Sequence, residues 1–560
     1  MTPLKMPFVH EANGNGCEHG AGCSLKSVLP RPLAELSESN EFLSEYLHWL
    51  PLNEIGAPTY YPKLTRDLSK LEKRNLIYPI DQGLFVHIYP DAVSERDHYI
   101  PIEPHLTVDL DPYVPQVEAR LLDWVEEIGA AKTAEDKREA LLRAIDANVS
   151  VAGAPGTIRL TSREMEAIKY VLLRDKVGFG LLAPLLLDPY IEDISCSGVG
   201  PVFVEHKIFK SVETAIVFET EEEVDEFVIW LGEWIKRPVT VRNPIVDAVL
   251  PDGSRINIVY GTDISKRGSN FTIRKFSEVP TSVMELIEFG TLDYMMAAYL
   301  SLVLEEGMNL FVAGATASGK TTTTNAITTF IRPDKKIVTI EDTPELQVPH
   351  KNWIREITRS TGRESTGAAV GMFDLLKAAL RQRPDRIIVG EIRGEEGAIA
   401  FQAMQTGHGV MSTFHAASVE KLIQRLTGDP INIPKTYIDN LEVVIIQQAV
   451  RVPSKGVVRR IMSISEIIGY DPTTESFSFI EAFRWNPTTD TFDFPGYMNS
   501  YLLEERIAPM RGIPPFKRKT IYTDLKKRAK IFERLHKERK LKNFYDVFQV
   551  LAEAHRQKLL

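Results

Sequence analysis

The chain has 560 residues, a formal net charge of −10, 44% hydrophobic residues and 25% charged residues. This composition excludes a fibrous or largely disordered chain, and the length suggests about three or four domains. Three cysteines are too few for a disulfide framework, so we expect a reducing compartment. The longest apolar run, residues 177–187, is too short to cross a bilayer, and no signal peptide is visible. We therefore expect a cytoplasmic protein that contacts the inner face of the cell membrane only peripherally.

Residues 1–30 contain Gly, Asn and Pro without periodicity, which predicts a mobile arm. Cys17, His19 and Cys23, with His10 nearby, are potential metal ligands. Their spacing matches no standard zinc pattern, and the second ligand pair of a zinc site is missing. We expect a solvated arm without a metal.

Two domains are predicted between the arm and residue 278. Residues 31–158 predict a small accessory domain without chemistry of its own, and residues 159–278 predict an α/β domain that precedes residues 279–500. The patterns indicate helices at 132–148, 164–174 and 221–236, strands at 83–89, 98–102, 202–206 and 271–276, and a turn followed by a strand within 250–261.

The most specific motif is GATASGKT at residues 314–321, which lies between an apolar strand and a helix. Gly314 and Gly319 allow a tight turn, and the N–H groups and dipole of the helix favour a phosphate. Lys320 would reach the β- and γ-phosphates of ATP, and the Thr321 hydroxyl would bind Mg²⁺. The predicted nucleotide contacts are Gly314, Ala315, Thr316, Ala317, Ser318, Gly319, Lys320, Thr321 and Thr322.

Three later apolar strands each end in polar residues; they lie at 336–342, 385–394 and 409–416. Strands that alternate with helices predict a doubly wound sheet with its ligand beyond the carboxyl ends of the strands. Glu391 is suited to activate the attacking water, and Glu341 to hold magnesium through water. His415 could hydrogen-bond the γ-phosphate, the alternative being a satisfied structural histidine.

The segments GATASGKT, TIEDTPEL, RPDRIIVGEIRG and TGHGVMSTFHA resemble, in this order and spacing, the Walker A, Asp-box, Walker B and His-box motifs of the secretion ATPase superfamily. The resemblance covers residues 160–470. It implies an α/β fold with a RecA-like P-loop motor domain, a smaller α/β domain that closes over ATP, and a ring hexamer. Members of this superfamily drive type II secretion, type IV pili, archaella and type IV secretion.

The resemblance also assigns roles to single residues. The Walker A lysine and hydroxyl, the Asp-box acid, the Walker B glutamate and the two His-box histidines are Lys320, Thr321, Glu341, Glu391, His408 and His415. Arg255 and Arg274 resemble the arginines that approach the phosphates when the ring closes, although an ordinary salt bridge is an equal alternative for each. Weaker candidates for the same role are Arg242, Arg381, Arg383 and Arg393.

Departures from the family pattern narrow the choice of subfamily. No cysteine follows Cys196, so the tetracysteine zinc insert of many bacterial members is absent. We favour an archaeal pilus-type or type II-like secretion motor that works with a polytopic membrane platform protein. A nucleic-acid translocase or DNA-transfer ATPase is the alternative, and a non-catalytic nucleotide-binding scaffold is a third possibility. Because the chain is acidic outside its tail, we expect no stable nucleic-acid partner.

The predicted motor domain spans residues 279–500 and ends in a hairpin, with strands at 477–485 and 492–494. Residues 501–560 predict a basic helical tail. Between residues 517 and 542, twelve Lys and Arg residues face three acids, so the remaining residues carry a formal charge of −19 within the total of −10. The tail could be a solvated helix, dock to a platform protein or to anionic lipid, or bind nucleic acid.

Overall fold

The computed structural model describes residues 4–8, 25–81, 83–91, 96–276, 279–359, 369–453 and 455–557. The possible metal ligands of the arm, His10, Cys17, His19 and Cys23, lie outside these residues. The chain separates into two compact units, Met1–Phe276 and Ser277–Leu560. Each unit is described by itself. The predicted domain boundaries stay predictions.

The described part of the first unit contains ten helices and twelve strands. The helices are α1 (Leu25–Val28), α2 (Arg31–Ser39), α3 (Glu41–Trp49), α4 (Leu52–Ile55), α5 (Val114–Leu121), α6 (Val125–Ala130), α7 (Ala134–Asn148), α8 (Ser162–Lys176), α9 (Ala183–Leu187) and α10 (Glu221–Trp234). The strands are β1 (Thr59–Tyr60), β2 (Leu76–Asp81), β3 (Leu84–Tyr89), β4 (His98–Ile102), β5 (Val149–Ser150), β6 (Ile158–Arg159), β7 (Ile191–Cys196), β8 (Gly200–His206), β9 (Lys210–Phe218), β10 (Ile245–Val249), β11 (Arg255–Val259) and β12 (Asn270–Arg274). The helices and strands predicted for this region are confirmed.

Ten of these strands form one sheet, in the order β1-β2-β3-β4-β9-β8-β7-β12-β11-β10. The parallel pair β4–β9 joins its two halves. Buried Asp188 reinforces the joint by accepting hydrogen bonds from Tyr78 Oη at 2.6 Å and Tyr99 Oη at 2.9 Å. The sequence predicts separate domains at 31–158 and 159–278, whereas here their strands share one sheet and one apolar core. Pairing between strands that lie so far apart along the chain leaves no trace in local periodicity.

The second unit contains nine helices and nine strands in its described part. The helices are α11 (Val283–Glu288), α12 (Tyr294–Glu305), α13 (Lys320–Thr328), α14 (Met372–Arg381), α15 (Glu396–Gln405), α16 (Val419–Thr427), α17 (Ala508–Met510), α18 (Ile521–Lys537) and α19 (Phe544–Arg556). The strands are β13 (Leu310–Gly314), β14 (Ile337–Glu341), β15 (Trp353–Ile357), β16 (Arg386–Val389), β17 (Gly409–Phe414), β18 (Val443–Val452), β19 (Gly456–Asp471), β20 (Ser476–Asn486) and β21 (Thr491–Asp493). Short 3₁₀ turns lie at Lys435–Asn440 and Pro515–Thr520, and a π-helical turn at Leu502–Ile507.

The nine strands form one sheet in the order β15-β14-β16-β17-β13-β18-β19-β20-β21. The first six are parallel to their neighbours, and the last three add an antiparallel edge. Apolar residues of β13 point to both faces: Val312 packs in a core with α12 and α13, and Phe311 packs in a core with α15 and α16. Burial on both faces explains the continuous apolar runs of the parallel strands. The α/β class and the added hairpin are confirmed.

None of the described helices combines the length and the apolarity needed to span a membrane.

The carboxyl-terminal helices pack against the second unit's core and do not extend away from it. Phe532 on α18 is fully buried, and its ring stacks on Phe330 with centroids 5.6 Å apart. Glu305 at the end of α12 forms ion pairs with Arg511 at 3.5 Å and with Arg528 at 2.7 Å. The residues predicted as a separate tail therefore complete one of the two cores of the unit.

We expect Phe532→Ala to lower the free energy of unfolding of the second unit by about 3–5 kcal/mol, because it leaves a cavity in a closed core. The matched control is Lys530→Ala on the exposed face of the same helix, which should change this free energy by less than about 0.5 kcal/mol. Denaturant titration of the intact chain measures both. Equal stability of the two variants would contradict the packing of α18.

Candidate active site

The phosphate-binding loop connects the carboxyl end of β13 to the amino end of α13. A Cβ atom on Gly314 would lie only 2.1 Å from the carbonyl oxygen of Gln447 on β18, so only glycine fits. Gly319 has a φ of 93°, and Ala317 has a φ of 60°, which is uncommon for a residue with a side chain. The loop thus passes close to β18 and contains two residues in the left-handed conformation.

The loop presents groups that suit a phosphate. The first N–H groups of α13 have no acceptor within their own helix, and they lie at its positive end. Lys320 is 8% exposed, and its Nζ donates to the carbonyl oxygen of Ala315 at 2.9 Å. Burial lowers the pKa of Lys320, although nearby Glu391 opposes this shift. The buried Oγ of Ser318 has no hydrogen-bond partner among the described residues. A polyanion would satisfy each of these groups.

Glu391 follows β16 and lies beside the loop. Its Oε1 is 3.0 Å from Nε2 of His415, and its Oε2 accepts a hydrogen bond from Nη2 of Arg393 at 2.6 Å. Burial lowers the pKa of His415, although nearby Glu391 opposes this shift. Because a carboxylate oxygen can only accept, Nε2 of His415 is the donor in this contact. His415 and Arg393 therefore hold the Glu391 carboxylate in a fixed orientation.

Glu341 is the last residue of β14, next to the strand that positions Glu391. Its Oε1 accepts the N–H groups of Glu345 at 2.8 Å and Leu346 at 2.7 Å. Its Oε2 lies 3.5 Å from Nε of Arg355 and has no hydrogen-bond partner among the described residues. Burial raises the pKa of Glu341 from 4.5 to about 7. Its carboxyl group is thus partly protonated at neutral pH.

The structure brings some of the predicted residues together. Lys320, Glu391 and His415 lie close together, since the charge of Glu391 opposes the lowering of the pKa of both Lys320 and His415 by burial. Arg393, predicted only as a weak arginine-finger candidate, contacts Glu391 directly. His408 instead precedes β17, at the opposite end of the strand from His415, with its Nδ1 3.1 Å from Oγ1 of Thr406.

Arg255 and Arg274 belong to the first unit. They are cross-strand partners on β11 and β12, so their side chains leave neighbouring positions of that sheet. Arg274 is 68% exposed, and its Nε lies 3.2 Å from Oδ1 of Asp193. An approach of these arginines to the phosphates stays a prediction.

Two residues beside the loop are missing from the predicted site. Nε of Arg459 on β19 donates to the carbonyl oxygen of Ala317 at 3.1 Å and so holds the left-handed turn. Gln447 on β18 is buried, and its Nε2 would lie 3.0 Å from a Cβ on Gly319. Both follow the loop by more than a hundred residues, and only the pairing of β13 with β18 and of β18 with β19 places them there.

The residues present fit ATP with Mg²⁺. The loop and the start of α13 supply N–H groups, Ser318 Oγ and Lys320 Nζ for phosphate oxygens. Thr321, half-buried in the first turn, and Glu341, whose Oε2 lies 3.5 Å from Nε of Arg355, supply the oxygen ligands that magnesium prefers.

A strand–loop–helix turn of this kind, with an acid beyond another parallel strand of the same sheet, defines a P-loop protein. The family model described as "Type II/IV secretion system protein" matches residues 175–474. The chain belongs to this family, so the resemblance noted in the sequence is confirmed. The family consists of secretion ATPases, and membership implies nucleotide binding and ATP hydrolysis.

Similar proteins occur in archaea and bacteria. An uncharacterized protein of Methanocaldococcus jannaschii is 43% identical over 533 residues, which cover 92% of this chain and 95% of that protein. The type IV secretion system protein VirB11 of Bartonella henselae is 30% identical over 254 residues, covering 39% of this chain and 70% of the relative. The crystal structure of the VirB11 ATPase from the Brucella suis type IV secretion system, in complex with sulphate, is 25% identical, covers 52% of this chain and 93% of its own, and has a TM-score of 0.26.

We expect the ionisation of Glu341 to lower the free energy of unfolding as the pH rises. The folded state keeps this proton up to a pH of about 7, whereas the unfolded state loses it near 4.5. The proton on Glu341 therefore stabilises the folded state fully below pH 4.5. This stabilisation, about 3 kcal/mol, is lost as the pH rises to about 7. Glu341→Gln keeps an acceptor for the two N–H groups and removes the titration.

Denaturant titrations at pH 5 and pH 8, without nucleotide, measure this effect. The free energy of unfolding at pH 8 minus that at pH 5 should be higher in Glu341→Gln than in the native chain, because the variant lacks the contribution that falls with rising pH. The exposed Glu395→Gln serves as the control and should behave like the native chain. A native-like pH dependence in Glu341→Gln would contradict the raised pKa.

Proposed function

We propose that the chain is an ATP-driven ring motor. Six copies form a hexamer with RecA-like motor domains, and ATP hydrolysis powers assembly of a type IV pilus-like or archaellum-like filament, or protein secretion of the type II/IV kind. The observation that supports this best is the convergence of Lys320, Glu391 and His415 beside one phosphate-binding loop.

The loop residues bind and orient the triphosphate. Lys320 Nζ turns from the carbonyl oxygen of Ala315 towards the β- and γ-phosphate oxygens, whose charge restores its pKa. Thr321 would hold Mg²⁺ directly and Glu341 would hold it through water. The ion would offset phosphate charge when bound. Arg459 keeps the backbone of Ala317 in its left-handed conformation, so the N–H groups of the loop stay aimed at the anion.

Glu391 acts as the general base. Its carboxylate orients a water molecule for attack on the γ-phosphorus and accepts the proton as the bond to the ADP oxygen breaks, giving ADP and phosphate. His415 Nε2–H fixes one carboxylate oxygen, which leaves the other for water once Arg393 moves to the γ-phosphate. Arg393 is 67% exposed, so its side chain can make this exchange at little cost.

Domain closure converts hydrolysis into movement. The first unit would bring Arg255 and Arg274 to the phosphates when ATP is bound, and loss of the γ-phosphate would remove their partner. The surface ion pair of Arg274 with Asp193 is a weak competitor for this step, because both groups face solvent. If a neighbouring copy in the ring supplies these arginines, the chain hydrolyses ATP efficiently only when it is assembled.

The names of similar proteins support a role in a secretion system. The bacterial relatives are named as proteins of type IV secretion systems. An uncharacterized protein of an archaeon is similar along nearly its whole length, which favours an archaeal pilus-type motor. The partner of the present chain would be a polytopic membrane platform protein, which the chain would contact at the cytoplasmic face of the membrane.

We expect Glu391→Gln to bind ATP with nearly native affinity but to hydrolyse it at least about 100-fold more slowly, because an amide cannot take the proton from water. The isosteric control, Glu395→Gln, changes an exposed acid four residues away and should keep native turnover. Nucleotide titration measures affinity, and phosphate release measures turnover.

Native turnover in Glu391→Gln would remove Glu391 from the role of base. A basal rate that rises many-fold with DNA, in the native chain, would favour the nucleic-acid translocase over the secretion motor. ATP binding without measurable hydrolysis in the native chain would favour a scaffold.

The arginine roles can be tested by mixing inactive chains. Loss of an arginine that meets developing phosphate charge costs about 10³-fold or more in turnover, so Arg255→Ala and Arg274→Ala should each be inactive. Rings mixed from Glu391→Gln chains and arginine-variant chains should regain turnover at sites that pair an intact Glu391 with a neighbour's intact arginine. No regain would indicate action within one chain, and full activity of both arginine variants would contradict the closure mechanism.

A further inference from the structure

One side of α18 carries a dense row of cations that the ATPase site does not use. We call this row the basic face; its exposed members are Lys526, Lys527, Lys530, Arg534 and Lys537. At roughly 100° per residue they occupy an arc about 100° wide, opposite the buried side of the helix. The buried side consists of Ile521, Tyr522, Leu525, Arg528, Ala529, Phe532 and Leu535. The packing of that side presents the basic face rigidly to solvent.

The positive charge of the basic face is only partly compensated. Lys527 lies 3.6 Å from Asp524, and Lys537 lies 2.7 Å from Glu533. Within the described part of the chain, Lys530 and Arg534 have no acidic partner within 4.0 Å. The segment 517–542 carries a formal charge of +9 in a chain of net charge −10, and of its cations Arg518, Arg528 and Lys542 form ion pairs with acids outside the segment. Such a concentration of one sign creates a local field that attracts an anionic surface.

Two aromatic side chains lie beside lysines of this segment: Phe516 beside Lys517, which precedes the basic face, and Tyr497 beside Lys526, which belongs to it. Phe516, in the 3₁₀ turn that leads into α18, is 83% exposed, more than any other large hydrophobic side chain described. Nζ of Lys517 lies 5.7 Å from the centre of its ring. Lys526 donates to Tyr497 Oη at 2.7 Å and lies over the same ring at 4.4 Å. Aromatic rings next to lysines are typical of side chains that sit among lipid headgroups, where the ring is buried and the ammonium reaches phosphate.

We propose that the basic face and Phe516 bind the surface of a bilayer that contains anionic lipids. The cations lie along one straight helix held against the protein core, which suits a flat surface of diffuse negative charge. Phe516 enters the headgroup region and adds an apolar contact that pure charge attraction lacks. This contact needs no nucleotide and does not depend on the proposed motor function.

The test is co-sedimentation of the intact chain with vesicles of phosphatidylcholine, with and without phosphatidylglycerol, in the absence of nucleotide. The native chain should bind only the anionic vesicles, and added salt should weaken the binding. The variant K526Q/K530Q/R534Q should bind about 100-fold more weakly, because each cation near an anionic surface contributes about a fivefold factor. Phe516→Ala should lose about tenfold at every salt concentration.

The matched control is K132Q/K137Q/R138Q, which removes three exposed cations from the first unit and should bind as the native chain does. Glu391→Gln should also bind vesicles normally, so a failure of the ATPase assignment is distinguishable from a failure of this proposal. Unchanged binding of K526Q/K530Q/R534Q, or equal binding to neutral vesicles, would overturn it. Tighter binding to a short DNA duplex than to the vesicles, lost in the same variant, would assign the face to nucleic acid instead.

Discussion

The central strand β13 holds the candidate site together, because it pairs with β17 on one side and with β18 on the other. Parallel pairing places the carboxyl ends of these strands at one edge, where the phosphate-binding loop starts at Gly314. The same pairing puts the carbonyl oxygen of Gln447 so close to Gly314 that no side chain fits there. The loop is therefore shaped by the sheet as much as by its own glycines.

Burial determines the electrostatics of the site. Lys320 and His415 are both pushed towards their neutral forms, and the carboxyl group of Glu341 is pushed towards its protonated form. Beside them lies Glu391, whose carboxyl group contacts His415 and Arg393. A triphosphate with its cation supplies charges of both signs to this pocket, so nucleotide binding and the protonation of these groups are linked.

The carboxyl-terminal helices serve two purposes through their two sides. The apolar side of α18 closes the core around Phe330 and Phe532, and the ion pairs of Glu305 fix its approach to α12. The opposite side is thereby left to solvent as a fixed row of cations. Because one helix does both, stability of the second unit and presentation of the basic face are coupled.

Local periodicity and motifs of fixed spacing were enough to predict the α/β class, most strands and helices, the phosphate-binding loop and the acid after β16. The folded chain was needed to show that β1–β4 share a sheet with β7–β12 and that α18 belongs to a core. It also placed Arg459 at the loop and Arg393 on Glu391. Such contacts join residues through strand pairing and side-chain direction, which a linear pattern does not encode.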